Sequence, residues 1–171
     1  MDQALERRLA ASRTSFAGLR RAVERREPWP LSRAYGAEPE SDWGPKEVLA
    51  HVAEMVPYWL GQIEAVVAAR DDALLFGRVA TDPERIDRIG RDRTLSAGEL
   101  LDRIDRGLAD AVTLQGRLDA DAWARRGTHS RLGEMTIEGV VERFIVGHLE
   151  EHIRQLEEIL ARGPSVADAT G

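Results

Sequence analysis

The 171 residues are 43% hydrophobic and 32% charged, with a formal net charge of -6. Such a length holds one ordinary core, the balance excludes a disordered or fibrous chain, and the acidic excess argues against a phosphate-binding face, so no nucleic-acid partner is expected. The absence of cysteine excludes disulfides, thiolate metal sites and a cysteine nucleophile, leaving histidine and carboxylate for any tight transition-metal site.

The chain opens Met1-Asp2-Gln3-Ala4-Leu5-Glu6, charged from its second residue, without the apolar stretch of a secretory signal. No run of about 18 uncharged apolar residues offers a membrane span. The expectation is a cytoplasmic protein without a membrane partner. Lys46 is the sole lysine among many arginines, a usage that reads as high-GC bacterial codon bias.

Helical periodicity begins at Gln3 and continues to about Arg26, with Leu5, Leu9, Phe16, Leu19 and Val23 on one stripe. After a Pro- and Gly-containing loop, Gly44-Pro45 followed by Glu47 signals a second helix start, and that helix extends to about Ala69. Pro57 is expected to kink it. Residues 71–95 form a long connection in which Asp82-Pro83-Glu84 opens a short helix over 83–89. Ser96 and Glu99 make a capping box for a third helix carrying Leu101, Ile104, Leu108, Val112 and Leu118 inward. A turn at Asp121–Trp123 leads to a loop, 126–133, and Thr136 caps a fourth helix over 137–162.

No segment shows sustained strand alternation, so the fold class is all-α. A four-helix bundle follows, as one domain over residues 1–165 with a flexible tail at 166–171. The joint between helices one and two implies antiparallel neighbours. The connection between helices two and three is long enough to cross the bundle end, which gives an up-down-down-up order.

Two of the four histidines stand one turn apart in the core stripe. At about 100° per residue, Ile137, Val141, Phe144, His152 and Ile159 all fall within roughly 40° of His148. Around His51, Met55, Tyr58 and Gln62 lie within about 40°, Glu47 about 40° off and Glu54 about 60° off. A lone core histidine is commonly a hydrogen-bonded packing residue. Three on core faces, including an i,i+4 pair, point instead to a divalent metal held by His51, His148 and His152. Neutral imidazoles suit Zn, Ni or Fe, and three protein ligands leave a position for water or substrate. Glu151 and Gln155 are placed to orient the ligand N–H groups. His129, in the loop, and Glu54 are the candidates for catalytic proton transfer.

The motifs Trp43-Gly44-Pro45-Lys46-Glu47-Val48-Leu49-Ala50-His51, His129-Ser130-Arg131-Leu132-Gly133 and Phe144-Ile145-Val146-Gly147-His148-Leu149-Glu150-Glu151-His152-Ile153 occur in an order that resembles the DinB/YfiT-like metalloenzyme family. The likeness covers about residues 5–162. It implies the up-down-down-up bundle and a three-histidine metal site at His51, His148 and His152. It also implies a low-molecular-weight thiol as co-substrate, because relatives include mycothiol- and bacillithiol-dependent isomerases and S-transferases. Two departures stand out. Ser130 replaces the proline that many relatives carry after the histidine, and the chain lacks the second domain of the mycothiol-dependent maleylpyruvate isomerases, so that activity is not expected to carry over.

Three functions remain open on the sequence. The first is a metal-dependent enzyme acting on a small molecule, a thiol S-transferase or a hydrolase. The second is a non-catalytic, metal-binding stress-response bundle, and the third a metal-free bundle that binds a small ligand. The sequence leaves monomer and homodimer open.

Overall fold

The computed structural model describes residues 3–32, 35, 40–69 and 74–162. The tail expected at 166–171 lies outside them. The described residues are mostly helical: α1 (Gln3–Glu24), α2 (Pro45–Ala68), α3 (Pro83–Asp92), α4 (Ala97–Arg117), α5 (Ala120–Ala124), α6 (Ile137–Val140) and α7 (Gly147–Arg162). A single 3-10 turn, Glu40–Asp42, precedes α2, and a π-helical stretch, Val141–Val146, joins α6 to α7.

The start signals act as the sequence implies. Pro45 sits in the first turn of α2, where its missing N–H costs nothing. Ser96 and Glu99 exchange both capping-box hydrogen bonds at the head of α4, and Thr136 accepts from Gly139 N at the head of α6. Both Asp82 and Asp119 cap their helices by accepting from the backbone.

α2 is the centre of the bundle. Every residue from Pro45 to Val56 is buried, the polar Lys46, Glu47, His51 and Glu54 included, so this half of the helix is surrounded on all sides. It packs against α3, α4 and α7, while α1 packs against α4 and α7. Helices α1 and α2 therefore occupy opposite corners rather than neighbouring ones, contrary to the expectation from their short joint. The reason is the burial of α2, whose sides are already taken by α4 and α7.

Contacts fix the helix directions pairwise. Arg13 pairs with Asp105 and Arg20 with Asp102 across α1 and α4, an antiparallel order. Val56 and Pro57 lie against Gly107, and Glu64 pairs with Arg117, so positions advance together along α2 and α4. Trp59 stacks on Phe144 at 4.1 Å while His51 meets His148 and His152, so α2 and α7 run oppositely. α2 is one continuous helix through Pro57.

A three-stranded sheet departs from the all-α expectation: β1 (Leu75–Phe76), β2 (Arg126–His129) and β3 (Gly133–Thr136). β1 pairs with β2 in parallel and β2 with β3 as a hairpin, Arg126 opposite Thr136 and His129 opposite Gly133. Strands of two and four residues are too short for alternation to show in the sequence. Gly133 takes φ 78° at the hairpin turn, a conformation that favours glycine. The sheet covers one end of α2, where Gly127 lies under Phe76 and Val66.

Two expected core positions moved outward. Val112 is 45% exposed and Leu118 only half-buried. Among the described residues, no helix is long and apolar enough to cross a membrane.

Candidate metal centre

The three core histidines converge. His51 Nε2 lies 3.0 Å from His148 Nε2, and His152 Nε2 lies 3.2 Å from the same atom. His51 and His152 are buried, whereas the His148 side chain is 29% exposed and forms the outer edge. The π-helical stretch ends immediately before Gly147-His148. A wider turn inserted there re-aims the residues that follow, a common device next to functional sites.

Side chains around the cluster determine which ring nitrogens face inward. His148 Nδ1 is 3.3 Å from Glu151 Oε2, a carboxylate oxygen that accepts only, so Nδ1 donates. His152 Nδ1 is 3.0 Å from Gln155 Oε1, and Gln155 Nε2 donates to the Glu40 carbonyl at 2.8 Å, which orients the amide. With both Nδ1 atoms protonated, the Nε2 lone pairs of His148 and His152 point into the cluster. Glu151 and Gln155 thus take the orienting places that the sequence suggested.

A fourth group joins them. Glu40 Oε2 stands 3.8 Å from His51 Nε2 and 3.5 Å from the Nε2 atoms of His148 and His152. Its other oxygen pairs with the Arg85 guanidinium. One ligand atom from each of the four residues lies within 4.8 Å of every other. Lone pairs and a carboxylate crowded so closely repel one another unless a proton or a metal cation lies among them. Ligands about 2.0–2.1 Å from a tetrahedral ion stand about 3.3–3.4 Å apart, so the donor set fits a divalent metal.

Electrostatics favour the ligand form of two of the donors, His51 and Glu40. Burial, reinforced by the neighbouring His152, holds the His51 imidazole well below its usual pKa, so it is neutral at pH 7. Burial opposes ionisation of Glu40, but the Arg85 guanidinium beside it, with any proton that the cluster histidines carry, outweighs that. The Glu40 carboxyl is held far below the usual carboxylate range.

Beside the cluster opens a cleft of about 630 Å³, with Glu40, Trp43, His148, His152, Gln155 and Ile159 among its walls. Cleft and cluster together give a candidate cation site open to solvent on one side.

The other two sequence candidates stand elsewhere. His129 is 4% exposed on β2, its ring stacked on Phe144 at 5.0 Å and on Trp59 at 6.1 Å. Its Nδ1 accepts from the Arg131 and Leu132 backbone N–H groups, and burial, with the charge of Arg143, lowers its pKa. Glu54 is buried in a two-pronged ion pair with Arg78, whose guanidinium lies 3.7 Å over the Tyr58 ring. Neither lines the cleft. Glu54 and Arg78 instead border a separate cavity of about 370 Å³. Sequence reasoning missed Glu40, since a loop carboxylate has no helical phase to betray which way it points.

The fold has counterparts among known proteins. The pattern that defines the DinB superfamily matches residues 4–156. The chain belongs to the DinB superfamily. YfiT from Bacillus subtilis, a probable metal-dependent hydrolase with an unusual four-helix bundle topology, superposes with a TM-score of 0.74 at 16% identity. That match covers 95% of this chain and 89% of YfiT. The mycothiol-dependent maleylpyruvate isomerase superposes with a TM-score of 0.56 at 16% identity, over 92% of this chain and 59% of the isomerase. At such identities the two structures speak for a shared fold. No curated protein matches the sequence. Within this DinB-superfamily chain, Glu40, His51, His148 and His152 form a group whose ligand atoms are close enough together to hold a metal ion.

Proposed function

We propose that this DinB-superfamily protein is a metal-dependent enzyme acting on a small molecule, with His51, His148 and His152 as ligands of one divalent ion, Zn, Ni or Fe. The observation that carries the reading is the convergence of the His51 and His152 Nε2 atoms on that of His148, at 3.0 and 3.2 Å, with Nδ1 of His148 and of His152 donating outward. Bound there, the ion supplies Lewis-acid activation of water or of a small thiol at neutral pH. The protein's own residues do the rest. Glu151 and Gln155 fix the rings, burial keeps His51 neutral, and the cleft admits the substrate beside His148.

The likeness to YfiT favours hydrolysis, and that to the mycothiol-dependent isomerase supports transfer involving a low-molecular-weight thiol. The exposed position of His148 on the cleft favours catalysis over a purely structural ion. The long helices are read in an up-down-down-up order, supported by the contact ladders between α1 and α4, α2 and α4, and α2 and α7. The chain is read as one domain over residues 1–165, cytoplasmic, a monomer or homodimer, acting without nucleic acid or membrane.

Cobalt-substituted protein separates the two chemistries. Thiol transfer predicts a sulfur-to-cobalt charge-transfer band on titration with mycothiol, bacillithiol or glutathione. A spectrum that no thiol alters leaves hydrolysis, tested with small ester and amide substrates. If removing the ion leaves turnover of every such substrate unchanged, the metal-dependent reading is wrong.

A further inference from the structure

Three histidines leave an ion one protein ligand short of a closed tetrahedral shell, and the Glu40 carboxylate stands at that place. Its Oε2 is 3.5 Å from two of the Nε2 atoms and 3.8 Å from the third, close to the tetrahedral edge of about 3.3–3.4 Å. Glu40 is also held from two other directions. Its carbonyl accepts from Gln155 Nε2 at 2.8 Å, and its Oε1 pairs with Arg85. Arg85 is itself 5% exposed, with Nη1 donating to the Ala80 carbonyl at 2.8 Å and its guanidinium 5.4 Å from the Trp43 ring. The long connection between α2 and α4 thereby acquires a purpose, because it carries Arg85 on α3 to the loop before α2.

We propose that Glu40 is the fourth protein ligand of the ion, positioned by Arg85, and that it is the ligand a small anionic substrate group displaces. This rests on the metal-dependent reading above. Among the four donors, His51 and His152 are sealed in the core at 4% side-chain exposure, whereas Glu40 is 19% exposed and borders the cleft. His148 is more open still, but Glu151 braces it and the helix carries it. Glu40 alone has a second cationic partner. Leaving the ion, it keeps its charge paired with Arg85, and an incoming oxyanion or thiolate takes its place at equal charge. The site is closed at rest and opens by exchange of one anion for another.

The test uses the full chain loaded with cobalt, read by metal content, metal affinity and the visible spectrum, with azide as the anionic probe. The inference predicts one cobalt per chain in the parent protein and strong bands of a four-coordinate ion. In Glu40→Gln the three histidines keep the metal, but affinity falls about 10- to 100-fold, comparable to losses around other metal sites. The bands weaken as water enters, and azide binds at least about tenfold tighter because no carboxylate competes. Arg85→Gln should reproduce part of the affinity loss, with Arg85→Lys recovering much of it, which a merely structural arginine would not show. Circular dichroism checks that each variant is folded, and Glu40→Ala serves as a second variant if Glu40→Gln is not. Parent-like affinity, spectrum and azide response in a folded Glu40 variant would overturn the inference while leaving the histidine site standing. Failure of the parent protein to take up cobalt at all would overturn the histidine site itself.

Discussion

At the scale of single residues, His129 and Gly77 hold each other in place. Gly77 has φ 83°, and a Cβ there would stand 2.4 Å from His129 Cδ2. Gly77→Ala should therefore cost about 1–3 kcal/mol of stability in urea denaturation, with metal content unchanged. Parent-like stability would mean that the ring has room to shift.

Protonation gives a second test at the residue scale. The folded protein holds His51 and His129 below their ordinary pKa, His51 chiefly by burial and by His152, His129 by burial and by Arg143. The unfolded chain takes up these protons near its own pKa of about 6.5, before the folded one does. The unfolded state thus binds more protons below that value, and stability rises with pH. Metal-free protein should accordingly lose stability as pH falls below about 6.5, measured by denaturant midpoint. A flat profile from pH 7.5 to 5 would show that both rings titrate alike in the two states.

At the scale of elements, the buried Glu54–Arg78 pair ties α2 to the segment after β1. Its side chains are 3% and 10% exposed, so removing one partner strands a charge. Glu54→Ala or Arg78→Ala should cost about 3–5 kcal/mol, while cobalt uptake at the histidine cluster is unaffected. Loss of metal affinity in a folded Glu54 variant would instead link that residue to the cluster. The stack of Trp59 on Phe144, with 11° between the rings, joins α2 to the π-helical stretch that leads into α7. Trp59→Ala should cost about 3–5 kcal/mol, read by thermal or chemical denaturation; a loss below about 1 kcal/mol would contradict this role.

What the sequence revealed follows the same scale. Elements with caps and long stripes were legible: Pro45, Ser96 with Glu99, and Thr136 mark helix starts within a residue of those observed. His51, His148 and His152 were legible because helical phase converts spacing into direction. The π-helical stretch at Val141–Val146 was not, since it breaks the 100° rule between Ile137 and His148 with no proline or glycine inside the stretch itself to announce it. Phe144, expected in the stripe, is half-buried, while Ile145 and Val146 take core places. The short strands and the direction of Glu40 depend on tertiary contacts, for which no local pattern exists.

At the scale of the molecule, the bundle owes its core to apolar packing of α2 against α4 and α7 rather than to an ion. Metal should therefore add stability without being needed for folding. At free metal 100 times the dissociation constant, linkage gives about 2.7 kcal/mol. A chelator should lower the melting temperature and leave helical circular dichroism intact at room temperature; outright unfolding would show that the ion nucleates the fold.

Whether three core histidines hold one divalent ion is decided by elemental analysis of protein purified without a histidine tag. The account predicts about one metal per chain at pH 7.5, lost when His148 and His152 are both replaced by alanine in a chain that circular dichroism shows to be folded. Full occupancy in that double variant, or a parent protein that binds no divalent metal when one is offered, would contradict it.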